Sequence, residues 1–145
     1  MAIEAGVAFA NASLLAGLLF AATGEALIAV HTSKGGHYIH GTHDRDTHAM
    51  QAHVREQAAK AKAVRVTDFH QSPLGDEVAG RDYDIAGLIT EDWLIANTDV
   101  AEADYYICGP RPFLRHAVSA LSLAGVPAGR IHYEFFGPAD ELLAA

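Results

Sequence analysis

The sequence predicts an α/β fold, a doubly wound parallel sheet with helices on both faces. Three observations predict it. Strand-like and helix-like patterns alternate through the C-terminal two thirds of the chain. The connections between successive strand patterns are long enough for helical crossovers, which join parallel strands with a right-handed turn. The segment Asp104-Tyr105-Tyr106-Ile107-Cys108 runs through Gly109-Pro110 into an amphipathic helical pattern, the strand–turn–helix unit of such sheets.

Taken in order, residues 5–24 contain no charged side chain. A span of this length raises a membrane or signal reading. Glu4 precedes it without any basic residue, Asn11, Ser13 and Thr23 interrupt it, and alanine and glycine dominate it. The expectation is therefore a buried helix of the core, not a membrane anchor. Residues 34–36 (Lys34-Gly35-Gly36) read as a turn, 37–40 as a short strand ending at Gly41, and 42–46 as polar loop. Thr47 is placed to cap a helix over 47–62. Val64 and Val66 alternate with Arg65 and Thr67, a half-buried strand over 63–69. Pro73, Gly75 and Gly80 make 70–82 a loop. Thr90 followed by Glu91 and Asp92 marks a helix start, with acids at the dipole's positive end. After the 104–108 strand, Pro112 fits a first helical turn. Leu114, Ala117, Val118 and Leu121 then recur on one helical face. Gly125 and Pro127 end that helix, and residues 131–136 form the last strand.

The chain has 145 residues, enough for one domain, and half of them are hydrophobic. A net charge of −8 repels phosphate backbones, so nucleic acid is not an expected partner. A nucleotide site is compatible with it, because such sites use local backbone N–H groups. The single cysteine, Cys108, precludes an internal disulfide and fits a reducing compartment, so a cytoplasmic location is expected. Ligands of doubly wound sheets bind beyond the carboxyl ends of the strands. That rule points to Cys108, Gly109 and Pro110, and to Gly41 and the residues after it. At the first place glycine permits close approach, proline fixes the turn, and the next helix offers its N-terminus. Cysteine nucleophile chemistry is not expected, since no activating base lies nearby in sequence.

The stretch Asp104-Tyr105-Tyr106-Ile107-Cys108-Gly109-Pro110-Arg111-Pro112-Phe113-Leu114 resembles the nicotinamide-binding strand and turn of ferredoxin-reductase-like enzymes. Ile131-His132-Tyr133-Glu134-Phe135-Phe136-Gly137-Pro138 resembles the C-terminal signature of one branch, the flavohaemoglobins, which are nitric oxide dioxygenases. Tyr38-Ile39-His40-Gly41, Thr47-His48-Ala49-Met50 and Ala79-Gly80-Arg81-Asp82-Tyr83-Asp84 match the same branch. The resemblance covers about residues 37–145. It implies a domain that binds NAD(P)H and passes hydride to FAD held by a barrel domain, with electrons moving on to haem in a globin domain. It implies Cys108, Gly109 and Pro110 beside the nicotinamide, and Phe135, Phe136, Gly137 and Pro138 against FAD. Glu134 would tune the redox centres. The partners implied are the FAD-binding barrel and the globin domain, for which 145 residues leave no room. The chain alone is thus not expected to oxidise nitric oxide.

Residues 1–36 do not match the family. Its glycine-rich phosphate loop has no counterpart there, since Gly6, Gly17 and Gly24 are too far apart to build one. Two rival readings follow: a non-catalytic remnant of the domain, or the reductase module of another oxygenase. The second lacks the cysteine set of an iron–sulfur domain. Asp44 and Asp46 would disfavour a ribose 2′-phosphate, and Arg45 would favour it, giving a lean to NADH. Nine histidines are present. His37 and His40 point to opposite faces of a strand, and His48 and His53 diverge on a helix. No metal site is expected, and these histidines read as surface groups beside a nucleotide-facing loop.

Overall fold

A computed structural model describes residues 26–48, 50–61 and 63–134. The expected helix over 5–24 and the segment Phe135, Phe136, Gly137 and Pro138 lie outside the described residues. The described strands are β1 (Ala26–Thr32), β2 (Gly35–Thr42), β3 (Val64–His70), β4 (Ile85–Ala86), β5 (Asp104–Cys108) and β6 (Ile131–Glu134). They form one sheet in the order β4-β3-β2-β1-β5-β6. The helices are α1 (Gln51–Lys60), α2 (Glu91–Asn97) and α3 (Arg111–Leu123).

The α/β class holds, and β2–β3 and β5–β6 pair in parallel as their helical connections predict, while the two-residue β4, which carries no strand signal in sequence, adds to β3 in parallel through a loop. The central strand β1 runs antiparallel to both neighbours, β2 and β5. It lies N-terminal to the alternating pattern on which parallel pairing was argued. Its sequence, Ala-Leu-Ile-Ala-Val-His-Thr, is an apolar run that suits a strand buried on both faces. The turn at Lys34-Gly35-Gly36 is the end of a tight hairpin, with Thr32 paired to Gly35. The Thr32 hydroxyl accepts from the Lys34 N–H and donates to the Gly35 carbonyl, both at 3.2 Å.

Alternation along the strands divides the core. Ile28, Val30, Ile39, Phe69, Tyr105 and Ile107 face α2 and α3, which contribute Leu94, Leu114, Ala117 and Leu121. Leu27, Tyr38 and Cys108 face the other way, toward Val54 of α1. Helices thus cover both faces. The predicted stripe of α3 is buried as expected, with Leu114 and Leu121 essentially inaccessible. Burying each such leucine contributes about 1.5–3 kcal/mol. Gly125 (φ +92°) closes α3, with Val126 N–H donating to the Leu121 carbonyl and Gly125 N–H to Ser122. Thr90 caps α2 by accepting from the Trp93 N–H at 3.2 Å.

The expected helix over 47–62 begins later. Asp44, not Thr47, is the capping side chain, and it closes a single 3-10 turn at Arg45–Thr47. Its carboxylate accepts from the Thr47 N–H at 3.1 Å, while the Thr47 hydroxyl accepts from the Asp44 N–H. His48 follows in extended backbone, Met50 turns left-handed (φ 58°), and α1 starts at Gln51. The capping box consumes Thr47 locally, and the turn interrupts the helix.

Gly35 has a φ of +141°, and a Cβ there would lie 2.1 Å from the Ala63 carbonyl oxygen. Gly35→Ala should therefore lower stability by roughly 2–4 kcal/mol in urea denaturation. Gly75→Ala, with nothing within 4 Å of the added atom, should change it by less than about 0.5 kcal/mol.

Candidate functional site

Two places in the fold gather functional chemistry, and they share no residue. The first is an open cleft of about 740 Å³ at the carboxyl ends of β2, β3 and β5. The chain reverses its direction of strand addition here: β2, β3 and β4 extend to one side of β1, β5 and β6 to the other. Gly41, Thr42 and His43 form one wall, Leu88, Ile89 and Thr90 another, and Pro110, Pro112 and Phe113 a third. Ala26, at the start of β1, lies at the floor. The two stretches named by the strand-end rule, at Gly41 and at Pro110, thus meet in one cavity. The first turn of α3 carries the Pro112 and Phe113 wall, so the positive end of its dipole faces the space.

Of the three residues expected beside a nicotinamide, Pro110 lines the cleft. Cys108 is fully buried beneath it and packs with Leu27 and Tyr38 on the α1 side. Gly109 connects the two. The register of the last two strands pairs Cys108 with Glu134. The turn expected to face nicotinamide and the residue expected to lead into the flavin segment therefore lie side by side at one sheet edge. Asp44 is occupied by the turn it caps, and Arg45 is held by Asp76 at 3.1 Å.

The second place is a cluster under α1. Here the structure corrects the expectation of surface histidines: His40 and His70 are buried, and the His48 side chain is 1% exposed. The ring centroids of His40 and His48 are 4.5 Å apart, and those of His48 and His70 are 5.1 Å apart. His48 Nδ1 bonds His70 Nε2 at 2.9 Å, and His70 Nδ1 bonds the Glu77 carboxylate. Asp68 is buried too. Its Oδ2 accepts from Arg55 Nη2 (2.7 Å), Arg55 Nε (3.0 Å) and Gln51 Nε2 (3.2 Å). Its Oδ1 faces His48 Nε2 at 3.6 Å. Burial and the neighbouring His40 push the His48 imidazole down to about 3, against the pull of Asp68. Burial alone would raise the Glu77 carboxyl, but hydrogen bonds from the Leu74 N–H and His70 hold it below its usual value.

His37 does point to the opposite face from His40, as strand alternation predicts. Its ring sits 6.0 Å from that of Trp93, and its Nε2 bonds the Thr67 hydroxyl at 2.7 Å. His43 alone of the 37–48 group both is exposed and lines the cleft. Sequence spacing missed the cluster because the pairs it compared, His37 with His40 and His48 with His53, are not the pairs that meet. The meeting pairs come from β2, β3 and the linker before α1.

No protein-family model matches the chain. Comparison with curated proteins finds the flavohemoprotein of Xylella fastidiosa (strain 9a5c), 48% identical over 122 residues, covering 83% of this chain and 29% of that protein. The flavohemoprotein of X. fastidiosa (strain Temecula1) is 51% identical over 109 residues, 74% of this chain and 26% of that protein. The flavohemoprotein of Rhizobium meliloti is 38% identical over 101 residues, 70% and 25%. The chain resembles a segment of flavohemoprotein. It spans between a quarter and a third of the length of these relatives, in which the matched segment is part of a longer chain. Their name denotes proteins that carry flavin and haem. Among the described residues no helix is long and apolar enough to cross a membrane.

Burial, helped by Arg65, pushes His37 down to about 4 from 6.5. The unfolded chain therefore binds the extra proton first as pH falls, and stability drops between about pH 6.5 and 4. Urea midpoints taken at pH 7 and 4.5 should show this loss. His37→Gln, which can keep a bond to Thr67, should shrink the loss by about 2 kcal/mol.

Proposed function

We propose that this chain is the nicotinamide-binding module of a flavohemoprotein-like reductase, and that the nicotinamide of NAD(P)H enters the cleft between His43 and Pro110. The observation that carries this reading is the cleft's position. It opens at the topological switch of the sheet, beyond the strand ends, and joins the two stretches that resemble the family. Its volume falls in the range of cofactor pockets. The apolar side chains of Leu88, Ile89 and Phe113 suit the face of a flat ring, and the exposed His43 supplies a polar group to the lining.

A nicotinamide bound here supplies hydride to FAD, and the chain's part is to orient the ring and exclude water. FAD would be held by a barrel domain docking on the β6 side, against Phe135, Phe136, Gly137 and Pro138, with Glu134 tuning the centres. Electrons would continue to haem in a globin domain. In the parent protein this serves nitric oxide dioxygenation in the cytoplasm. The chain by itself carries the first step only. NADH is the preferred donor in this reading. Asp44 is engaged in its cap, and Arg45 is shared between Asp76 at 3.1 Å and Asp46 at 3.8 Å, so its guanidinium is neutralised and gives no pull on a 2′-phosphate.

A second reading, a remnant that keeps the fold but not the dinucleotide, is favoured by one observation. Because β1 is antiparallel, the loop that follows it is the Ser33-Lys34 hairpin, at the sheet edge opposite the cleft. No glycine-rich loop among the described residues faces the pyrophosphate position.

The two readings separate in one experiment. The purified chain is mixed anaerobically with a separately produced FAD domain of a flavohemoprotein, and NADH is added. Bleaching of the flavin absorbance that requires the chain supports the reductase module. Neither NADH binding nor flavin reduction would leave the remnant. Leu88→Glu, at a largely exposed wall position, should weaken NADH binding roughly tenfold without altering the thermal midpoint.

A further inference from the structure

We propose that His40, His48 and Asp68 form a binding site for one divalent transition-metal ion of the zinc class. The three come from β2, from the linker before α1 and from β3, and they offer ligand atoms all within 4.8 Å of one another. Two imidazole nitrogens and one carboxylate oxygen are a donor set that zinc and its first-row neighbours accept, with a fourth position left for water. The His48 Nε2 to Asp68 Oδ1 separation of 3.6 Å is close to the roughly 3.4 Å edge of a tetrahedral zinc site.

Hydrogen bonding around the three makes the case independent of spacing. Glu77, as a carboxylate, accepts from His70 Nδ1–H. His70 Nε2 then carries a lone pair and accepts from His48 Nδ1–H. That assignment leaves His48 Nε2 with a lone pair as well, and this atom is buried without a hydrogen bond. It faces Asp68 Oδ1, a second acceptor. Two acceptors held face to face in a buried site call for a cation between them. Asp68 is also oriented for the task. Every bond that Arg55 and Gln51 give to Asp68 ends on Oδ2, so Oδ1 is presented to His48. The relay from Glu77 through His70 is the outer support typical of metal-bound imidazole. With neutral imidazoles, Asp68 and Glu77 against Arg55 leave one net negative charge in the cluster. The site shares no residue with the cleft, so it does not rest on the reductase reading.

The test uses the untagged chain, stripped with a chelator and titrated with zinc chloride by calorimetry. One ion per chain is expected, with a raised thermal midpoint, and none of this with magnesium, which prefers oxygen donors. Glu77→Gln should weaken zinc binding 10–100-fold, and His53→Ala, on the exposed side of α1, should not. Imidazole proton resonances give a readout that needs no variant. Those of His40 and His48 should move on zinc addition, while those of the exposed His53 and His132 stay. A wild-type chain that takes up no zinc between pH 6 and 8 overturns the site, because a proton then fills the gap. So does zinc uptake that moves only the exposed histidines.

Discussion

Everything in this fold is arranged around a central strand that is paired on both edges and buried on both faces. Leu27, Ile28, Ala29 and Val30 of β1 are each 4% exposed or less. Such a strand has no side that water can reach, so its sequence must be apolar without alternation. Its alternate residues seed the two cores: Ile28 and Val30 the one under α2 and α3, Leu27 the one under α1. Its position between β2 and β5 also separates the two directions in which the sheet grows. The cleft is a consequence of that separation. With β1 antiparallel, its starting residue Ala26, rather than a loop, lies at the cleft floor.

The two faces of the sheet then take different chemical characters. The α2–α3 face is built almost wholly from apolar side chains, and it shapes the walls that approach the cleft. Among the described residues the α1 face holds few of them, Leu27, Tyr38 and Cys108 with Val54 and Val66 packed against them. What holds α1 is polar: Arg55 and Gln51 reach across to Asp68 and to the carbonyls of Arg81 and Asp82. A buried carboxylate is costly unless it is paired with a charge and hydrogen-bonded, as Asp68 is at Oδ2. Asp68 therefore dictates where α1 sits and which way His48 turns. The interrupted helix start at Asp44 to Met50 follows from the same demand, because His48 must leave the helical path to reach under β2 and β3.

Much of this was legible in the residues. The β5–α3 unit, the Thr90 cap, the α3 stripe and the Gly125 terminus are local features, each set by side chains within one or two turns of one another, and each lies where its pattern puts it. The strand-end rule located two of the three walls of the cleft, at Gly41 and at Pro110, and not the one at Leu88 to Thr90. Two things were not legible. The direction of β1 depends on a two-residue hairpin turn closed by Gly35, where the backbone passes so near Ala63, distant in sequence, that no side chain fits. The histidine cluster depends on partners 8, 22 and 28 positions apart, joined only by the parallel pairing of β2 with β3. Periodicity reports which face a residue occupies, and it carries no information about which strand is next to it.

That difference explains why Cys108 and His48 exchange the roles their neighbourhoods first imply. Cys108 sits beside a turn that the strand-end rule marks for a ligand, yet strand alternation sends its side chain away from the cleft, into the α1 core. The turn's contribution passes to Pro110, two residues on, where the chain has left the pleat. His48 sits in a polar stretch that reads as surface, yet the Asp44–Thr47 capping box shortens the path of the chain and drops the imidazole beneath the sheet. In both cases a constraint of one or two residues, the pleat or the cap, outweighs the character of the surrounding sequence. The cleft is therefore built mainly from backbone ends and apolar walls, while the chemically reactive side chains of the stretch are gathered on the far face, around Asp68.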